Sequence, residues 1–227
     1  GFPPENKQIA NVVHPTTSMG GAKPKLLVED AGAFWIAKFP EKGDPLHFLA
    51  ANEHVMLTLA ADCGIDAAQS RLHTLPDGRQ IILVRRFDLA RTEGGVTRKG
   101  FASAYTVLGL GNPRDDAKKK SYLRFADEAL RWTGRQYGEA IWQRLAFNAM
   151  VGNVDDHPRN HALIRDAEAW HLSPAFDIVG SVRNEQVALS MRFHNDGAVA
   201  TPETLLASAM LLGIDPEIAI ADRKSVV

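Results

Sequence analysis

The sequence carries one cysteine, Cys63, in 227 residues. A single thiol excludes an internal disulfide framework and suits a reducing compartment. Its place near the end of an apolar helix reads as buried filler. A surplus of one charge sign is also missing: 26 Lys and Arg stand against 27 Asp and Glu, a net −1 with His neutral. Such a balance gives no global pull toward nucleic acid or a membrane surface. No apolar run approaches the ~20 residues that a spanning helix needs. The opening Gly1-Phe-Pro-Pro-Glu-Asn has neither the charged nor the apolar region of a signal peptide. The expectation is a soluble, cytoplasmic protein. Repeats and low-complexity segments are lacking too, which excludes a solenoid. What remains is 45% hydrophobic and 23% charged, suited to one compact unit or two lobes.

Against that even background one stretch stands out: Val151-Gly-Asn-Val-Asp155-Asp-His157-Pro-Arg-Asn160-His, followed by Ser173-Pro-Ala-Phe-Asp177. In phosphoryl transfer to a hydroxyl, one Asp accepts the proton, an Asn five residues on holds magnesium, and a later Asp holds magnesium at the phosphates. A short loop presents the base and the amide side by side, and a hairpin returns the second carboxylate. The bland alternative is a polar loop whose Asp and Asn residues make turns and caps.

The rest of the chain predicts an α/β (α+β) arrangement. Thr16-Thr-Ser18-Met-Gly20-Gly21-Ala22-Lys23-Pro-Lys25 is a candidate phosphate-binding turn, with glycines that let N–H groups approach an anion and two lysines for charge. Leu26–Glu29 and Ala33–Phe39 read as strands joined by the Asp30-Ala-Gly32 turn. Lys38 lies on the second of them, either facing nucleotide phosphates or resting its stem on an edge. Leu46–Asp62 is periodic as a helix closed by Gly64, with Glu53 mid-helix, placed to pair a lysine or to face water. Ser70–Thr74 and Gln80–Asp88 form a second hairpin, whose run Ile81–Val84 suits a central strand buried on both faces. Its exit at Arg85-Arg86-Phe87 is a candidate inter-lobe hinge with backbone groups for an adenine edge. Residues 89–120 read as loop with limited helix. Helices follow over Tyr122–Trp132 and Gly138–Val151, the second with a broad apolar stripe leading to the Asp155 loop. A short hairpin is expected at Leu163-Ile and Trp170–Leu172, a strand at Ala188–Met191, and a capped helix after Thr201, closed by Gly213. The expected division is residues 1–88 as a β-rich lobe and 89–227 as a mainly helical one.

Six blocks in order resemble the HipA-type toxin kinases, a bacterial serine/threonine protein kinase family. They are Ser18–Lys25, Trp35-Ile-Ala-Lys38-Phe-Pro, Asn52-Glu53, Leu83-Val-Arg-Arg-Phe-Asp88, Phe147 through His161, and Leu172-Ser-Pro-Ala-Phe-Asp177. The resemblance implies a two-lobed kinase fold distantly like the lipid kinases, and ATP and Mg²⁺ as cofactors. It implies Asp155 as catalytic base, Asn160 and Asp177 as Mg²⁺ ligands, and Lys38 on the ATP phosphates. Gly20, Gly21, Ala22, Lys23 and Lys25 would form the phosphate loop, and Arg85, Arg86 and Phe87 the adenine hinge. His157 would sit at the catalytic loop beside ATP or serve a structural hydrogen bond. Ser18 falls where family members are autophosphorylated and switched off. The implied partners are an aminoacyl-tRNA synthetase as protein substrate and a helix-turn-helix antitoxin, through which nucleic acid would be met indirectly. Long members carry a small subdomain before the phosphate loop, which this sequence lacks; it reads as a fragment or a compact member.

Three other readings compete. A small-molecule phosphotransferase uses a similar Asp-x4-Asn loop and predicts an acidic substrate pocket. An inactive nucleotide-binding module would act through a DNA-binding partner, against which stands the joint presence of Lys38, Asp155, Asn160 and Asp177. A metal hydrolase would use Asp155, Asp156, His157 and His161, although consecutive Asp residues rarely point at one ion.

Overall fold

The computed structural model describes residues 25–39, 48–76, 78–111, 113–166, 168–181, 186–194, 197–215, 217 and 219. The chain is mixed α/β, as its sequence predicts, and divides into two compact units: Gly1–Thr58 with Ala68–Lys99, and Leu59–Ala67 with Gly100–Val227.

The first unit is built on a four-stranded antiparallel sheet in the order β1-β2-β4-β3. Strands β1 (Lys25–Asp30) and β2 (Ala33–Lys38) are joined across Ala31 and Gly32, both at positive φ (48° and 76°). Two left-handed residues give the turn a twist that matches its strands. Strand β4 (Gln80–Arg85) pairs with β2 on one side and β3 (Ser70–Thr74) on the other. Its Ile81, Ile82 and Val84 are buried, each contributing about 1.5–3 kcal/mol. The continuous apolar run is the central strand that its composition calls for. Trp35, Val28, Ala37 and Ile81 make the local core, and the Arg71 guanidinium covers the Trp35 ring at 3.8 Å. Helix α1 (Phe48–Asp62) follows, and Gly64 (φ 80°) ends it.

Residues 89–120 depart from the loop expectation. Strands β5 (Leu89–Thr92) and β6 (Gly95–Arg98) form a hairpin. Strand β7 (Gly100–Ser103) joins β8 and β9, and helices α2 (Ala104–Val107) and α3 (Pro113–Lys119) follow. The β5–β6 hairpin is largely exposed on both faces. Its Arg and Thr residues therefore carry none of the apolar alternation that marks a half-buried strand.

The second unit is mainly helical. Helix α4 (Tyr122–Thr133) stops at Gly134 in the left-handed conformation, and α5 (Gly138–Met150) runs through the core. On α5, Ile141, Trp142 and every residue from Arg144 to Ala149 are buried. Strands β8 (Ala162–Arg165) and β9 (Trp170–Leu172) are antiparallel. The predicted strand at Ala188–Met191 is instead the two-residue β10 (Val187–Ala188), paired with β11 (Val199–Ala200). It stops there because the Ser190 N–H donates to the Asp156 carboxylate rather than to a neighbouring strand. Helix α6 (Pro202–Leu211) opens on a Thr201–Thr204 capping box.

Candidate active site

In the first unit, register sets Lys25 directly opposite Lys38 on β1 and β2. Like charges facing across a strand pair repel. Helix α1 answers one of them: the Lys38 ammonium donates to Glu53 at 2.7 Å, with both side chains largely buried (14% and 6% exposed). The glutamate therefore fixes where the lysine head sits. Ser18, Gly20, Gly21, Ala22 and Lys23 lie outside the described residues.

At the exit of β4, the Arg85 N–H donates to the Gln69 carbonyl and the Arg86 N–H to the Phe34 carbonyl, at 2.8 and 2.7 Å. An adenine edge at this turn would meet other backbone groups. The Arg85 side chain reaches Gln69 at 2.7 Å, and Arg86 forms a two-pronged pair with buried Asp88, half-buried Phe87 lying between them in sequence.

In the second unit, α5 ends at Met150 and Gly152 turns the chain at φ 66°. A side chain there would drive its Cβ to 2.4 Å from the Ser181 carbonyl oxygen. The loop that follows carries Asp155 with its side chain 83% exposed, 3.8 Å from His157 Nε2. His157 caps the 3₁₀ turn Pro158–Asn160, its Nδ1 accepting from the Arg159 N–H at 3.3 Å. Asn160 is buried and its amide nitrogen donates to the Asp155 carbonyl at 2.8 Å. That bond ties the Asp155 main chain to the Asn160 amide in one short loop and is made by the amide nitrogen, not its oxygen. Asp177 adopts φ 60°, the left-handed region where a residue other than glycine is uncommon. Its side chain is half-buried.

Behind these loops lies a buried polar network that sequence reading misses. Tyr122 donates its phenol to Asp156 at 2.6 Å, Asn148 donates to the Tyr122 oxygen at 3.1 Å, and Asn153 donates to Asn148 at 3.0 Å. Burial pushes Asp156 up to about 6, against the pull of Tyr122 and the Ser190 N–H. The same burial, with the Asp156 charge beside it, raises Tyr122 well above its ordinary value. His161 packs edge-on to Tyr122 at 5.2 Å, and burial together with nearby Arg144 lowers it to about 3. Arg144, pushed down to about 10 by burial, donates to the Ser173 carbonyl at 2.6 Å. The available signal was on α5, where Arg144 and Asn148 stand one turn apart in the run Arg144 to Met150, whose other residues are apolar. Asp156 and His161 are thus committed to the core while Asp155 faces solvent. Among the described residues, no three His, Cys, Asp or Glu side chains gather as metal ligands, which removes the basis for the hydrolase cluster.

Two solved structures share this fold. A HipA from Shewanella oneidensis, in a toxin–antitoxin complex with HipB and operator DNA, superposes with a TM-score of 0.70. It is 21% identical, over 99% of this chain and 58% of that one. The Helicobacter pylori proinflammatory kinase CtkA gives a TM-score of 0.53 at 16% identity, over 72% of this chain and 56% of that one. The architecture is therefore of the kinase-like class that these two represent. The model of the HipA-like C-terminal domain matches residues 17–223, and the chain belongs to that family. Two curated relatives from Sinorhizobium fredii carry provisional names as kinases. Y4dM is 30% identical over 167 residues, 68% of this chain and 39% of its own length. Y4mE is 27% identical over 153 residues, 65% of this chain and 34% of its own length. The chain thus spans between a third and two fifths of these curated relatives.

Proposed function

We propose that this chain is the phosphotransferase part of an ATP- and Mg²⁺-dependent serine/threonine protein kinase. The observation that carries the reading is the bond from the Asn160 amide to the Asp155 carbonyl. It joins, within one short loop, the residue that carries an exposed carboxylate and a residue with a hard oxygen donor, and both groups would serve transfer to a hydroxyl. Asp155 would orient the acceptor hydroxyl and take its proton. Asn160 and Asp177 would hold Mg²⁺, whose role is to neutralise charge on the phosphates. Both offer oxygen, the donor that Mg²⁺ prefers, and two such side chains leave the remaining ligand positions to water and phosphate. Lys38, fixed by Glu53, would bind phosphate oxygens together with Lys25 and the loop of Gly20, Gly21, Ala22 and Lys23. Arg85, Arg86, Phe87 and His157 would flank the nucleotide.

The acceptor in this reading is a serine on a protein, with an aminoacyl-tRNA synthetase as the implied class, and a helix-turn-helix antitoxin as the restraining partner. Support for that partner comes from the Shewanella relative, described in complex with HipB and operator DNA. Ser18 would be an autophosphorylation site. A phosphate there adds about −1.5 to −2 charges, enough to draw Lys23 or Lys25 away from ATP. The deciding experiment incubates wild type and Asp155→Ala with ATP and Mg²⁺, then measures intact mass and the phosphoproteome of a treated lysate. Phosphate gain with wild type alone supports the reading; equal signals from both proteins would remove Asp155 from its role.

A further inference from the structure

Helix α4 carries two apolar stripes. One, made of Tyr122, Phe125 and Ala129, is buried in the core of the helical unit. The other, Leu123, Ala126 and Leu130, falls at i, i+3 and i+7 on a neighbouring face and is only half-buried. These three residues line an open groove of about 740 Å³. Leu211, Leu212 and Ile214, at the end of α6 and just past it, line it too. Leu211 is 54% exposed and its neighbour Met210 64%, so two adjacent large apolar side chains face water there. A close approach of backbones builds the groove. A Cβ on Gly138, the first residue of α5, would lie 2.5 Å from the Leu212 carbonyl oxygen. Glycine at that position therefore lets the start of α5 rest against the cap of α6.

The charges that line this groove have one sign. Asp127 from α4, Glu139 from the first turn of α5 and Asp215 after α6 contribute exposed carboxylates. Among the described residues, no Lys or Arg lines it. Glu128 next door pairs with Arg131 at 3.1 Å. The side chains of Asp127 and Glu139, by contrast, have no hydrogen bond or ion pair among the described residues. Such a groove repels phosphate-bearing partners, nucleic acid and anionic lipid alike, and draws cations toward it. Its apolar side chains come from one helix face and an adjoining turn, a surface on which an amphipathic helix can lay its own apolar stripe.

We propose that this groove docks a basic amphipathic helix of a partner protein. The apolar side chains of that helix rest on Leu123, Leu130, Leu212 and Ile214, and its Lys or Arg residues pair with Asp127, Glu139 and Asp215. The groove shares no residue with the proposed phosphotransfer machinery, so the inference stands whether or not that reading holds.

The test uses the full chain and two fluorescein-labelled helical peptides, one of leucine and lysine, the other with glutamate at every lysine. The lysine peptide should bind saturably, one per chain, and about tenfold or more tighter than the glutamate peptide. Added salt should weaken it, because the carboxylates it pairs with are exposed. In the double variant Asp127→Lys with Glu139→Lys, both at exposed positions, the order of the two peptides should reverse. Amide NMR on ¹⁵N-labelled wild type needs no variant to fold. It should confine the shifts caused by the lysine peptide to α4, the start of α5 and residues 211–215. Equal affinity for the two peptides, or shifts centred elsewhere, overturns the proposal. So does a chain that dimerises through these residues in sedimentation and excludes the peptide, since a second copy is then the occupant.

Discussion

The Tyr122 phenol and the Asp156 carboxylate, 34 residues apart in sequence, meet at 2.6 Å in the core of the helical unit. Asp156 titrates near 6 in the fold against an ordinary 3.8, so between those values the folded chain holds a proton that the unfolded chain has lost. Its stabilising effect is full below pH 3.8 and is lost as pH rises through 6, at most roughly 3 kcal/mol. His161 runs the other way. Its folded value near 3 lies below the ordinary 6.5, so its effect is full above pH 6.5 and lost as pH falls toward 3, at most roughly 5 kcal/mol. The two slopes oppose each other between about pH 4 and 6. Urea midpoints of Asp156→Asn should therefore fall more steeply than wild type as pH drops from 6.5 to 4. Those of His161→Phe should fall as pH rises over the same interval. Variant curves parallel to wild type would refute this opposition.

Lys38 and Glu53 make a largely buried pair, and removing one partner strands the other charge. Lys38→Met should lower stability by about 3–5 kcal/mol, whereas Lys38→Met with Glu53→Leu should recover most of it. Neither should transfer phosphate. Thermal unfolding beside a γ-phosphate transfer assay separates the two effects. A double variant as unstable as the single one would show that the cost comes from packing.

Asp155 is exposed and plays no part in the buried network, so Asp155→Asn should leave the unfolding midpoint nearly unchanged. Transfer should drop by ~10²-fold or more with ATP affinity retained, the expectation for loss of a general base. Lost ATP affinity with retained transfer would reassign the residue.

As the proposed Mg²⁺ ligands, Asn160 and Asp177 are too few for a protein-only cage, so Mg²⁺ should bind weakly alone and more tightly with nucleotide. Calorimetric titration with and without a non-hydrolysable ATP analogue measures this. Tight Mg²⁺ binding to the free protein would count against the assignment.

Much of the fold is legible in the chain because short-range chemistry decides it. Gly32 marks a hairpin, Ile81–Val84 a central strand, and Thr201-Pro-Glu-Thr a capped helix start. The β5–β6 hairpin is illegible because its strands bury almost nothing. Strand β7 is hidden for another reason: its partner β8 lies some sixty residues away, and four residues carry little pattern. In the candidate site, the proposed base Asp155 and proposed Mg²⁺ ligands Asn160 and Asp177 stand out by their spacing. Asp156 and Arg144 are not, because a buried charge looks like a surface charge until its distant partners are known. The contrast between Asp155 in water and Asp156 in the core is set by Tyr122 and Ser190, which no local pattern could point to.

Gly152 and Ser181 have one further consequence. The Ser181 N–H donates to the Val151 carbonyl and its hydroxyl to the Gly152 carbonyl, at 2.9 and 2.7 Å. The chain entering the Asp155 loop is thus laced to the chain leaving Asp177. Segments joined in this way open together, so their amides should exchange with solvent as one cooperative group with a shared opening energy. A methyl group at position 152 would cut the lacing, and deuterium uptake would then rise on both sides of it at once.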